Sequence, residues 1–393
     1  MSAAAETTKK AAASATEAPK QEAFGDVILT KYKTAGDITA KAIKTTIDAV
    51  QEGKTVLEIC KTGDKAIEEG VAAVYKSDKK LAKGSAFPTT VSINQIICNF
   101  APLASDEASS QKLKAGDVVK IQTGAHIDGY ATVAAETVVV GASKSAPVEG
   151  PKADALKAAW TAAETAIRVM QPGKTNHEVA KEIEASIREF QGIRAVEGMQ
   201  TNQMDKDVID GKKKIVLAAE SQSRPDACKL EENDVFGVDI QVTTSESGKP
   251  KSDEARTTIY KKTGSTYLLK MQTSRKIFSE VQKVAGAFPF NIGVLEDEKR
   301  ARMGLQECVN HSLVTPFEVL YDGKDGAITA QIFFTVAISN KGAIRLTPAP
   351  TWYNEEVVKS SQSVKDEKLA ALLKEPVRQK KAKKPAAADG KTA

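Results

Sequence analysis

The residues of this 393-residue chain that could do chemistry are few, and their spacing removes most of the chemistry they suggest. Three histidines (His126, His177, His311) and four cysteines (Cys60, Cys98, Cys228, Cys308) are present, with no CxxC pair and no histidine at ligand spacing from a cysteine. A zinc centre is therefore not expected, and the cysteines read as reduced, buried thiols of a cytosolic or nuclear protein. No G-x-S-x-G elbow, H-E-x-x-H pair or G-x-G-x-x-G loop occurs. Two Gly-Lys-Thr tripeptides, Gly53-Lys54-Thr55 and Gly173-Lys174-Thr175, look like the end of a phosphate loop. Asp48 and Arg168 stand where such a loop needs its first glycine, so both tripeptides are turns between helices.

The elements that would position any site come in two similar halves. An apolar helical pattern (Ile43, Ile47, Val50) leads into Gly53-Lys54-Thr55 and then into a second pattern (Leu57, Ile67, Val71). The same order recurs with Ala162, Ala166, Val169, then Gly173-Lys174-Thr175, then Val179, Ile183, Ile187. Thr55 with Glu58 and Thr175 with Glu178 form T-x-x-E capping boxes, 120 residues apart, that start the second helix of each unit. A second echo joins Asp117–Gln122 to Asp234–Asp239, 117 residues later. Each opens a predicted β-hairpin, the later one returning as Ala255–Lys261 past the turn near Gly248. Each half thus reads helix–helix–hairpin. Two such halves face to face would bring Gln122 and Asp239, equivalent polar residues, into one central pocket.

The segment DVVKIQTGAHIDGYATVAAETVVV (117–140) resembles the metal-binding hairpin of the methionine aminopeptidases. The chain as a whole, over about 22–350, resembles their α+β pita-bread fold, and a helical insert at about 265–325 points to the type II branch. Six blocks carry a narrower resemblance: AFPTTVSINQIICNFAP, VVKIQTGAHIDGY, EGMQTNQM with VIDGKKKI, DVFGVDIQV, DEKRARMGLQECVNHSLVTPFEVLY and AQIFFTVAISNKGAIRLT. They are similar to the proliferation-associated protein family, which includes the ErbB-receptor-binding protein of animals and a curved-DNA-binding protein of fungi. In the aminopeptidases, two hairpin aspartates hold a pair of divalent metals; the resemblance puts Gln122 and Val133 in their places. It puts Met199 at a histidine ligand, Asp239 at the first glutamate, Phe333 at the last glutamate and Asn99 at the histidine that assists the substrate. Two-metal hydrolysis needs several anionic oxygens around ions about 3.5–4 Å apart. One carboxylate among Gln, Val, Met and Phe supplies neither charge nor geometry, so no metal, no cofactor and no catalysis are expected. The histidines offer no rescue: His126 is expected to be structural, His177 solvated at a helix start, and His311 packed within the insert.

Binding is then sought in the charges. Residues 374–393 carry seven lysines and arginines against two acids, so the whole net charge of +5 lies in this tail. Arg378, Lys380, Lys381, Lys383 and Lys384 suit phosphate contact or nuclear import, and the absence of aromatics there argues against base stacking. Lys270, Arg275 and Lys276, with Lys261, Lys262, Lys299, Arg300 and Arg302, would give the insert a basic platform, which Lys212-Lys213-Lys214 could extend. Leu369–Leu373 has the L-x-x-L-L form of helices that dock in apolar grooves. No apolar run is long enough to span a bilayer. The expected organisation is a disordered arm (1–21), a main domain (22–350, halves about 22–150 and 151–350) and an extension with the basic tail (351–393). The family resemblance implies ribosomal RNA and the large ribosomal subunit as partners, in ribosome biogenesis or translation, in cytoplasm, nucleus and nucleolus. DNA is a further partner, and protein partners would use the old cleft or Leu369–Leu373. The competing expectations are a curved-DNA-binding nuclear protein and a residual metal-dependent methionine aminopeptidase.

Overall fold

The computed structural model describes residues 25–378, apart from 221–222, 253–254 and 324–325. The expected arm, and Lys380, Lys381, Lys383 and Lys384 of the tail, lie outside the described residues. Helix α1 (Asp26–Asp48) and α2 (Val56–Ala73) pack on the strands Lys83–Ile93, Val118–Ile127 and Tyr130–Val139. Helices α3 (Gly150–Val169) and α4 (Asn176–Arg188) do the same for the second half, with α3 lying on Val235–Thr243 and Thr329–Ala337. Both predicted capping boxes are formed, each threonine accepting the N–H of its glutamate while that glutamate accepts from the threonine N–H. The repeat is closer than the sequence pattern alone required. Gly53 and Gly173 both have positive φ and donate to Leu113 and Leu230, and the Asp117 and Asp234 carboxylates each accept the N–H three residues earlier, both at 2.8 Å.

The strands form one antiparallel sheet in the order Lys83–Ile93, Val118–Ile127, Tyr130–Val139, Thr329–Ala337, Val235–Thr243, Gln200–Met204, Lys214–Val216. Ala125 and Ile127 point into a cluster with Ala35, Ile38, Ala42 and Ile67 of the helices. Alternation along the strand sends Gln122, Gly124 and His126 to the opposite face, where Phe288 and Phe317 lie. The mixed α+β, pita-bread architecture read from the resemblance is the one observed.

One expected pairing is wrong. Val235–Thr243 does not return as Ala255–Lys261; it pairs along its whole length with Thr329–Ala337, from Thr243↔Thr329 to Val235↔Ala337. Ile259–Lys262 instead pairs with Phe290–Asn291 and Val314–Phe317 in a separate sheet. That sheet, α5 (Gln272–Val284) and α6 (Glu298–Asn310) enclose their own apolar cluster, with Ile277, Val281, Leu305 and Cys308 at its centre. A local turn near Gly248 looked sufficient for a hairpin, but nine residues of long-range ladder over a shared core outweigh it. After the sheet, the chain runs back as a strap. The Glu136 carboxylate accepts from the N–H groups of Thr351 and Trp352, Val358–Lys359 pairs in parallel with Val148–Glu149, and α7 (Glu367–Lys374) rests on α3. Among the described residues no helix is long and apolar enough to cross a membrane.

Where the strap joins the body, α1 passes close to backbone. A Cβ at Gly36 would stand 1.8 Å from the Leu346 carbonyl oxygen. Glycine at mid-helix lowers helix propensity, so close packing is the reason for it here. Gly36→Ala should destabilise the fold by about 2–3 kcal/mol or more, because the clash is with backbone that cannot rotate away. Chemical denaturation followed by circular dichroism checks this; an unchanged midpoint would refute the close-approach account.

Candidate functional site

The sheet's inner face holds a central cavity of about 300 Å³, lined by Phe87, Cys98, Asn99, Gln122, Val133, Met199, Asp239, Gln241, Phe317 and Phe333, among others. All six residues assigned to the old site by resemblance therefore line one cavity. Gln122 and Asp239 face it together, as the duplication required, although their strands are not neighbours: Tyr130–Val139 and Thr329–Ala337 lie between them. Phe333 sits directly opposite Asp239 in the ladder and also pairs with Ala135. Val133 is buried, and its N–H donates to Thr335 Oγ1. Met199 follows Gly198, whose positive φ turns the chain into the Gln200–Met204 strand. Asn99 is itself left-handed and donates to the Glu318 carbonyl, tying the cavity rim to the insert side.

Two residues that the sequence reading missed dominate the chemistry. Gln331 Nε2 donates to Gln122 Oε1 and to Asp239 Oδ1, both at 2.9 Å, and Gln241 Nε2 donates to Asp239 Oδ2 at 2.8 Å. Gln241 stands two residues after Asp239 and Gln331 two before Phe333, so period-two alternation along strands already in view was the available signal. Burial raises Asp239 from the usual carboxylate range to about 6, with the two amide donors pulling the other way. Burial and the neighbouring Asp239 charge push the Cys98 thiol up to about 12, which disfavours the thiolate. Gln241 Oε1 and Asn202 Oδ1 are buried with no hydrogen-bond partner.

A pair of divalent metals does not fit this donor set. The Asp239 oxygens each accept an amide N–H, and Gln122, Val133, Met199 and Phe333 stand at the other ligand positions. The cavity's second carboxylate, Asp210, is held through both oxygens by Lys261 at 2.9 Å, so the set falls short of the several anionic ligands that two divalent ions need. Among the described residues no group of three or more His, Cys, Asp or Glu is placed to hold a metal ion.

The other candidates are dispersed. His126 stacks on Phe288 with ring centres 4.4 Å apart, and burial lowers it to about 4, as befits a structural histidine. His177, expected to be solvated, is half-buried with Nε2 2.9 Å from the Pro225 carbonyl oxygen, because the loop before Cys228 folds back over the start of α4. His311 stacks on Tyr267 inside the insert. Lys270, Arg275 and Lys276 are exposed at the start of α5, but Arg275 also donates to the carbonyls of Leu269 and Lys270. Lys276 and Arg300 share a cleft with Glu280, Glu296 and Asp297, so that face carries both signs. Lys261 pairs with Asp210, and Arg302 with Asp106 and Glu298. Of the lysine triplet, Lys213 is bound to Glu231 and Asp234, and Lys214 donates to Gln200. Arg378 is exposed, whereas Leu369, Leu372 and Leu373 are half-buried and Leu372 packs against the main core.

Residues 30–238 match metallopeptidase family M24. The chain is 43% identical to the curved DNA-binding protein of Schizosaccharomyces pombe, over 91% of this chain and 94% of that protein. It is 40% identical to ERBB-3 binding protein 1 of Solanum tuberosum, over 85% of this chain and 86% of the other. A solved structure of a thermophilic Arx1 matches with a TM-score of 0.85 and 33% identity, covering 91% of this chain and 100% of that one. Methionine aminopeptidase of Thermotoga maritima matches with a TM-score of 0.54 at 15% identity, over 83% and 98% of the two chains, a likeness of fold.

The raised carboxylate gives a signed pH effect. Asp239 is harder to ionise folded than unfolded, so the fold carries no penalty below about pH 3.8 and the full penalty above about pH 6. That penalty amounts to about 3 kcal/mol for a shift of this size. In Asp239→Asn, the new amide can donate to Gln241 Oε1 once the Gln241 amide turns over. The variant should therefore melt higher than the parent at pH 7.5 and no higher at pH 4. A difference that does not change with pH would contradict the assignment.

Proposed function

Because this chain belongs to metallopeptidase family M24, within the branch of the proliferation-associated and ERBB-3-binding proteins, we propose that it is a non-catalytic member that binds nucleic acid and the ribosome. The observation that supports a non-catalytic reading is the lining of the cavity, where Asp239 is tied by two side-chain amides and Gln122, Val133, Met199 and Phe333 stand in place of further metal ligands. What remains for function is surface charge. The tail supplies a compact run of cations, and Lys270, Arg275 and Lys276 on α5 supply a second, sparser set. Phosphate backbones recognise both without reading sequence. The family resemblance favours ribosomal RNA of the large subunit as the ligand, with work in ribosome biogenesis or translation and residence in cytoplasm, nucleus and nucleolus. The similarity to a curved DNA-binding protein supports bent DNA as the second reading, since a tail without aromatics binds either backbone.

Salt dependence tests this directly. Full engagement of Arg378, Lys380, Lys381, Lys383 and Lys384 would contribute a slope of roughly −3.5 to −4.5 to log affinity against log salt. Truncation after Leu373 should weaken RNA or DNA binding most at low salt and flatten that slope. Adding Lys270→Glu and Lys276→Glu should remove most of the residual binding. A slope unchanged by truncation would reject the tail as a phosphate contact.

A further inference from the structure

A second cleft, of about 450 Å³, lies on the far side of the sheet from the central cavity, between α3 and the C-terminal strap. Trp160, Thr161 and Glu164 of α3 line it, with Arg345, Ala349 and Leu373 opposite. Half of this wall comes from beyond residue 238, outside the stretch that matches the family.

The charges around it do not balance. Glu164 bridges two guanidinium groups, Arg168 through Oε2 and Arg345 through Oε1, both at 2.6 Å. Among the described residues it is the one carboxylate that pairs with either arginine, so a part-buried excess of one positive charge remains. Arg168 spends its Nε on the Glu375 carbonyl at 2.9 Å. Arg345 lies with its guanidinium 4.9 Å from the centre of the Phe334 ring, and its Nη1 is buried without a hydrogen-bond partner. Nη1 is closed off from the cleft, so it is the unmatched charge, carried to the wall by the part-exposed remainder of the guanidinium, that favours an anion there. The planar fork of that group suits an oxyanion.

The remainder of the cleft is flat and apolar. Trp160 is held by stacking on Tyr353, with ring centres 4.6 Å apart and planes within 14°. Leu373 and Ala349 complete the wall. We infer that this cleft binds a small amphiphilic anion, a carboxylate or phosphate group carried on a flat apolar body, with Arg345 holding the oxyanion and Trp160 the flat face. Leu373 belongs to α7, so the ligand would bridge α3 to the strap that leads into the basic tail. The site is independent of the nucleic-acid reading and would stand if that reading fell.

Phenyl phosphate is the probe, titrated into the full chain and followed by Trp160 fluorescence in a Trp352→Phe background and by calorimetry. Saturable binding is expected, with inorganic phosphate and benzyl alcohol each at least about tenfold weaker, because one lacks the apolar body and the other the charge. Replacing phenyl phosphate by benzoate distinguishes the two oxyanion types. Arg345→Met should weaken binding by about tenfold or more, the usual range for a lost charge-assisted hydrogen bond. Since that variant also strands Glu164, the exposed Ala349 provides a second test: Ala349→Trp fills the cleft without touching the core and should abolish binding while the melting temperature holds. Absence of saturation in the parent, or full binding by the filled variant, would overturn the proposal.

Discussion

The Gln331 side-chain amide is the group on which the centre of the molecule depends. It lies on the strand between the two carriers of the old site and gives one N–H to the Gln122 carbonyl oxygen and another to the Asp239 carboxylate. Without it, two buried oxygens from the two halves would face each other with no donor, an arrangement that costs several kcal/mol in a low-dielectric cavity. With it, the first half (Val118–Ile127) and the second (Val235–Thr243) are joined through Thr329–Ala337 by one small network. In a site built for metals, cations do this joining. Here neutral amides do it, which fixes the geometry and ties up one lone pair on each carboxylate oxygen.

Much of the scaffold was legible in the sequence, for local reasons. Thr55 and Thr175 announce their helices because a capping box is complete within four residues, and the glycine turns before them follow from positive φ. The placing of Gln122 and Asp239 in one cavity followed from the repeat. What could not be read was long-range. The partner of Val235–Thr243 lies some ninety residues on, beyond the insert, and a serine- and glycine-rich turn near Gly248 offered a plausible local alternative that the ladder overrides. The same gap hid the partners of Gln331: alternation from Phe333 puts it on the cavity face, but its bonds to Gln122 and Asp239 follow only once its strand is set between the other two. His177 was misjudged for a similar reason: the carbonyl of Pro225 that covers it arrives from a loop about fifty residues away.

The surface follows a different logic from the centre. Many of the insert's cations are spent on intramolecular partners, Lys261 on Asp210 and Arg302 on Asp106 and Glu298, so sequence counting overstated the platform. Leu372 of α7 is likewise used within the molecule, packing on the main core, and the strap that leads to it is pinned by the Glu136 carboxylate. Under the proposed reading, a chain whose central cavity is lined by amides and apolar side chains would meet its partners mainly through the charge at its periphery. Electrostatic contact of that kind is strong at low salt and tolerant of sequence, which suits a ligand recognised by its backbone.

The central claim, that amides have displaced the metals, is tested most directly by titrating the full-length protein with cobalt or manganese in a calorimeter while assaying release of methionine from a short peptide. The account predicts no stoichiometric two-ion binding and no release with either metal. Two ions bound per chain, with methionine release that disappears in Asp239→Ala, would contradict it.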